Sequence, residues 1–183
     1  MRQNIRDEVS GISPLDEVET KVQHDALLWI DSGQELCRTA KPDVPPKHLV
    51  SYFVVVDGDY VLLVDHINAQ LWLPTGGHVE PGEHPRDAAL REAREELSIE
   101  AAFLMDGPQF ITAAETVGLT AGHVDISLWY VIAGNRGQQI QYDRSEFRRV
   151  RWFHKNEVPF DRSDPNMRRF LKKFYADKAA IAS

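Results

Sequence analysis

The sequence predicts an α/β sandwich built on a mixed set of strands, with a helical extension at its N-terminus. Three observations predict it. LVSYFVVV (49–56) is a continuous apolar, β-branched run, the pattern of a strand buried on both faces. Further strand-like stretches follow, interrupted by one helical segment over about 85–97 and closed by one late amphipathic helix. Before all of these, apolar residues recur at steps of three and four, which is a helical period.

In chain order, Ser13 can cap a helix whose first residue is Pro14, where no amide donor is needed. Leu15, Val18, Val22, Ala26 and Trp29 form its apolar stripe, and Gly33 stops it. TAKPDVPPKH (39–48) carries three prolines and reads as an extended connector. Residues 1–47 are thus an extension and linker, and 48–183 the main domain with its C-terminal helix. The extension packs on that domain, contacts a second copy in a homodimer, or covers a substrate.

After the strand at 49–56, Asp57-Gly58 marks a turn and YVLLV (60–64) a second strand. Strands are expected at 109–117, 125–133 and 148–153, with a loop at 134–139. Pro85 and Asp87 suit the first turn of the helix over 85–97, proline because its amide is not required and aspartate because it faces the positive dipole end. The last helix begins near Asp164-Pro165, with Met167, Phe170, Leu171 and Phe174 on its inner face.

Composition narrows the function classes. A chain of 183 residues, 43% hydrophobic, can bury a core without staples. One cysteine, Cys37, excludes an internal disulfide and a Cys-rich zinc site, and fits a reducing, cytoplasmic setting. The first residues lack the apolar stretch of a secretory signal, and no run is long enough to span a membrane. A net charge of −7 repels nucleic-acid polymers but not a small nucleotide held through cations.

The segment LPTGGHVEPGEHPRDAALREAREELSI (73–99) is unusual. Glu95 and Glu96 lie three and four residues after Glu92, so the three are expected to point one way from a single helix face and to repel each other unless cations join them. Oxygen donors at that density suit Mg²⁺ or Mn²⁺, which also accept phosphate oxygens. Gly76-Gly77 lets the backbone approach a metal or phosphate, and Pro81-Gly82 turns Glu83 back toward the glycines. Taken alone, REAREE could be no more than a solvated acidic face. His78 and His84 flank the loop, and His123 with Asp125 begins a strand. No cysteine partner or HExxH spacing accompanies them, so polar loop roles are expected rather than zinc. Trp72, Phe53 and Tyr52 are expected in the core rather than stacked on a base.

These residues resemble the signature of the Nudix hydrolase family. Gly77 is followed after five residues by Glu83, then after seven by Arg91-Glu92, with Ala93 in the apolar place, Glu95-Glu96 as the acidic pair and Ile99 in the last apolar place. Ser98 stands where the signature has glycine. The resemblance covers about residues 48–175 and implies the Nudix-type α/β/α sandwich. It also implies cleavage of a diphosphate linkage in a nucleoside diphosphate joined to another group, with Mg²⁺ or Mn²⁺ as cofactor. By that resemblance Glu95 and Glu96 are principal metal ligands. Glu92 binds metal directly or through water, and Arg91 orients it. Gly76 offers its carbonyl oxygen to a metal, and Gly76, Gly77 and Glu83 form the loop that meets substrate, Glu83 with a bracing or a catalytic role. A carboxylate from a later loop, Glu146, serves as ligand or general base, with Asp143 and Glu115 as rivals. Two alternatives stay open: a catalytically silent nucleotide-sensing module, and an isomerase of isoprenoid diphosphates, which would need a reactive cysteine.

Overall fold

The computed structural model describes residues 1–40, 44–115 and 122–181, with side chains as far as residue 177. Two helices, α1 (Arg2–Gly11) and α2 (Glu17–Asp31), precede the strands β1 (Lys47–Asp57), β2 (Tyr60–His66), β3 (Trp72–Leu73) and β4 (Thr75–His78). Helix α3 (Pro85–Leu97) leads to β5 (Phe110–Glu115), β6 (Val124–Ala133) and β7 (Phe147–His154). A 3₁₀ turn (Phe160–Arg162) then precedes α4 (Met167–Ile181).

The strands form one mixed sheet along β3-β2-β1-β6-β5. β1 runs parallel to β6 over its whole length, pairs with β2 at its C-terminal end and with β4 nearer its start. β7 lies against β2. Side chains alternate across the sheet, so β1 feeds two cores. Leu49, Phe53 and Val55 join α1, α2 and α3 on one face, while Val54 and Val56 join α4 on the other. That double covering is why its apolar run is continuous rather than alternating.

The α/β/α sandwich and the helix at 85–97 agree with expectation, and Met167, Phe170, Leu171 and Phe174 are all buried. Several boundaries differ. α2 starts at Glu17, not Pro14, because the Asp16 carboxylate accepts the Glu19 amide at 2.9 Å and is the true cap. Val18 then faces solvent at 61% exposure, and Glu19 turns inward. α1 buries only Ile5 and Val9, too few apolar positions for a periodicity to be read. β4 was expected to be loop. α4 begins at Met167, two residues beyond Pro165, with the Asp164 carbonyl accepting the Met167 amide. Residues 116 and 117 of the expected strand 109–117 lie outside the described residues.

The extension is tied into both layers. Glu19, fully buried, accepts from Lys173 on α4 at 2.7 Å, from the Leu15 amide at 2.7 Å and from the Ile111 amide of β5 at 3.3 Å. Tyr130 of β6 donates to Glu8 of α1 at 2.8 Å.

Candidate active site

The site is assembled where β4 passes under α3. Ala88, Ala89 and Ala93 are fully buried, and their small side chains let α3 lie close on β1 and β4. Ser51 of β1 donates to the Pro85 carbonyl at 2.7 Å and fixes the start of the helix. Two glycines permit the close approach. Gly76 holds φ +154, and a Cβ there would collide with the Ser51 carbonyl oxygen and the Tyr52 backbone. A Cβ on Gly77 would overlap the Glu92 carboxylate, so that carboxylate lies flat against β4.

Arg91 organises the loop. Its guanidinium donates to both oxygens of Glu83 at 2.9 and 3.0 Å, to Glu92 at 2.7 Å, to Glu95 at 3.4 Å and to the His78 carbonyl at 3.2 Å. The second Glu83 oxygen also accepts the Glu80 amide at 3.0 Å, which closes the turn through Pro81-Gly82. Burial pushes the Glu83 carboxyl up, but the Arg91 bonds, the Glu80 amide and the Arg91 charge together outweigh it and hold the group below the ordinary range. Glu83 is therefore an anion locked into the loop.

Glu92 and Glu96 behave in the opposite way. Burial raises the Glu92 carboxyl, and Arg91 only partly offsets it. Burial, then the nearby Glu92 and Glu146, push Glu96 up to about 9, against a smaller lowering by the Gly76 backbone. One Glu96 oxygen, Oε2, is buried with no hydrogen-bond partner. An unpartnered carboxylate oxygen beside two more carboxylates fits a hard divalent cation, which prefers oxygen ligands and would remove the repulsion.

Glu92, Glu96 and Glu146 line a cleft of about 510 Å³ with Gly76, Gly77 and Arg91. Glu146 thus reaches the helix carboxylates from the loop before β7, where its carbonyl accepts the Ile67 amide at 2.8 Å. Of its rivals, Asp143 turns one carboxylate oxygen to the Ser145 amide and hydroxyl, at 2.7 and 2.6 Å, and neither it nor Glu115 lines the cleft. Glu95 is the outlying member. Its side chain is 60% exposed, because adjacent helical positions diverge by about 100° and Glu95 and Glu96 do not share one face. Ser98 adopts the left-handed conformation (φ 51, ψ 38) expected of the glycine it replaces, and the helix ends as the signature requires.

His84 caps α3, its Nδ1 accepting the Arg86 amide. His78 and His123 meet Asp125 and a residue that the sequence pattern did not single out, His48 of β1. Only the strand pairing brings His48 there, opposite Asp125 on β6.

The NUDIX domain family model matches residues 46–174. Over 58 residues the chain is 40% identical to the asymmetrical bis(5'-nucleosyl)-tetraphosphatase of Mus musculus, a stretch that covers 32% of this chain and 40% of that protein. The chain therefore matches less than half the length of this curated relative. In fold it is similar to an Ap4A hydrolase from C. elegans (TM-score 0.57, 24% identity, 73% of this chain and 96% of that one). It is also similar to a NUDIX family hydrolase from Clostridium perfringens (TM-score 0.54, 21% identity, 69% and 95%). At these identities the likenesses establish the fold alone. The family model, spanning most of the chain from the start of β1 into α4, carries the assignment: this chain belongs to the NUDIX family.

Proposed function

We propose that this chain is a metal-dependent hydrolase that cleaves a diphosphate linkage in a small nucleotide derivative. The observation that carries the reading is the buried, unpartnered Oε2 of Glu96, set beside Glu92 and Glu146 in an open cleft. Glu92 and Glu96 would hold Mg²⁺ or Mn²⁺, with Glu95 at the solvent side and the Gly76 carbonyl as a further oxygen donor. When bound, the cation polarises phosphoryl oxygens and makes a water more acidic. Arg91 keeps the Glu92 carboxylate in place through its 2.7 Å bond and the loop in place through Glu83. Gly76 and Gly77 let β4 lie close to β1 and to the Glu92 carboxylate, which brings the backbone to the edge of the cleft. Glu146, exposed on its loop, is the group free to take the proton of the attacking water, and the leaving phosphate departs as the new P–O bond forms.

Dinucleoside polyphosphates are the first substrate class to test, given what the relatives of similar sequence and fold are named for. A panel of these, nucleoside triphosphates, nucleotide sugars and ADP-ribose, assayed with Mg²⁺ and with Mn²⁺, should yield metal-dependent phosphate or nucleotide release. Glu95→Gln and Glu96→Gln should lose nearly all turnover with the fold intact. Undiminished turnover in both variants refutes the site. Tight nucleotide binding with no cleavage would favour the silent sensing module. The isomerase reading has little support, since Cys37 is buried and its thiol is pushed up to about 11 by that burial.

A further inference from the structure

A second cluster of ligating side chains lies beside the carboxylate cleft and takes no part in the reading above. His48 of β1, His78 at the end of β4, His123 just before β6 and Asp125 near its start present ligand atoms that all fall within 4.8 Å of one another. The Nε2 atoms of the three histidines converge on one oxygen, Asp125 Oδ1, at 3.2, 3.7 and 3.4 Å. His48 is fully buried and His123 is 3% exposed.

Two of these atoms lack any hydrogen-bond partner: His48 Nε2 and Asp125 Oδ1. Their chemistry explains the mismatch. His48 Nδ1 lies 2.9 Å from the Pro45 carbonyl, which can only accept, so Nδ1 carries the ring proton. In the neutral ring Nε2 is then a bare lone pair, aimed at a carboxylate oxygen that is also only an acceptor. Nε2 protons on the other two rings could satisfy their own contacts to Asp125 Oδ1, but none satisfies His48 Nε2 while its proton sits on Nδ1. A cation at the centre satisfies all of them.

We infer that His48, His78, His123 and Asp125 form a structural zinc site. The distances fit. Zinc bonds of about 2.0–2.2 Å in a tetrahedron place neighbouring ligand atoms about 3.3 Å apart, which is the range of the three contacts to Asp125. The ligand types fit as well, since imidazole selects zinc, cobalt or nickel over magnesium. The bond from His48 Nδ1 to a backbone carbonyl is the outer contact that fixes a ligating imidazole. Arg38 lies 3.4 Å from His78 Nε2, a long contact that a cation bound at that nitrogen would displace. Four protein ligands leave no open position, so the ion would staple strands rather than activate water. It would join β1, β4 and β6 one residue beyond Gly77, at the residue whose carbonyl accepts from Arg91.

The purified chain, stripped of metal and titrated with Co²⁺, tests this. One equivalent should bind with the intense visible bands of tetrahedral cobalt, and Zn²⁺ should displace it and raise the melting temperature. Asp125→Asn and His123→Ala should lose the bands, with far-UV circular dichroism recording the fold. The Glu92→Gln/Glu96→Gln double variant should keep them, which separates this site from the carboxylate cleft. The wild-type measurement stands by itself: a folded chain without the bands overturns the inference. Bands that survive both Asp125→Asn and His123→Ala, or that vanish only in the double variant, overturn it as well.

Discussion

Glu96→Gln should make the metal-free chain more stable while abolishing turnover. The Glu96 carboxyl is pushed up to about 9 from an ordinary value of 4.5, first by burial and then by Glu92 and Glu146. At about pH 7.5 the folded chain keeps this proton and the unfolded chain has lost it. Three pH units at about 1.36 kcal/mol per unit give a ceiling of about 4 kcal/mol of lost stability. For an acid whose folded pKa is raised, the stabilising contribution is complete below the unfolded value and drains away as pH rises through the folded one. Glutamine cannot ionise and escapes that loss. Urea denaturation in excess chelator should therefore show the variant more stable by about 2–4 kcal/mol near pH 7.5, with the gap closing toward about pH 4.5. A gap that stays constant with pH, or a wild type that is the more stable protein throughout, would refute the electrostatic account of the cleft.

Three further substitutions probe other links. Arg91→Lys keeps the charge but cannot reproduce the fork onto Glu83 with the added bonds to Glu92 and the His78 carbonyl. Turnover or metal affinity should fall by about 10- to 100-fold in rate assays across Mg²⁺ concentrations, and wild-type kinetics would refute the brace. Ser98→Gly relieves the left-handed strain at an exposed helix end and should stabilise the fold by about 1 kcal/mol without altering turnover, as read by chemical denaturation. Glu19→Ala strands Lys173 in the core and should cost about 3–5 kcal/mol in urea denaturation, while a loss within experimental error would show that the extension is only loosely attached.

The sheet strands and α3 were legible because their signals are local. A continuous β-branched run reads as a strand covered on both faces, and proline followed by three buried alanines at helical spacing reads as a packed helix. The carboxylate set was legible for the same reason, its members lying within one loop and one helix. The three-and-four spacing nevertheless predicts Glu92, Glu95 and Glu96 on one face, and the structure corrects this by turning Glu95 outward, one helical step from Glu96. The start of α2 was misread because Ser13-Pro14 and Asp16 both satisfy the local rules for a cap, and the contact of Asp16 with Arg169 of α4 is not local.

The family signature, the acidic donor set and the glycines that let the backbone come near it are all legible along the chain, because they are properties of residues close together in sequence. Folding in three dimensions sets which carboxylates converge, brings Glu146 rather than Asp143 or Glu115 to the cleft wall, and joins the extension to α4 through Glu19. It alone brought His48 opposite Asp125 and His78 beside them. Parallel pairing of β1 with β6 and antiparallel pairing of β1 with β4 make neighbours of residues far apart in sequence, and no local pattern encodes which strands will pair.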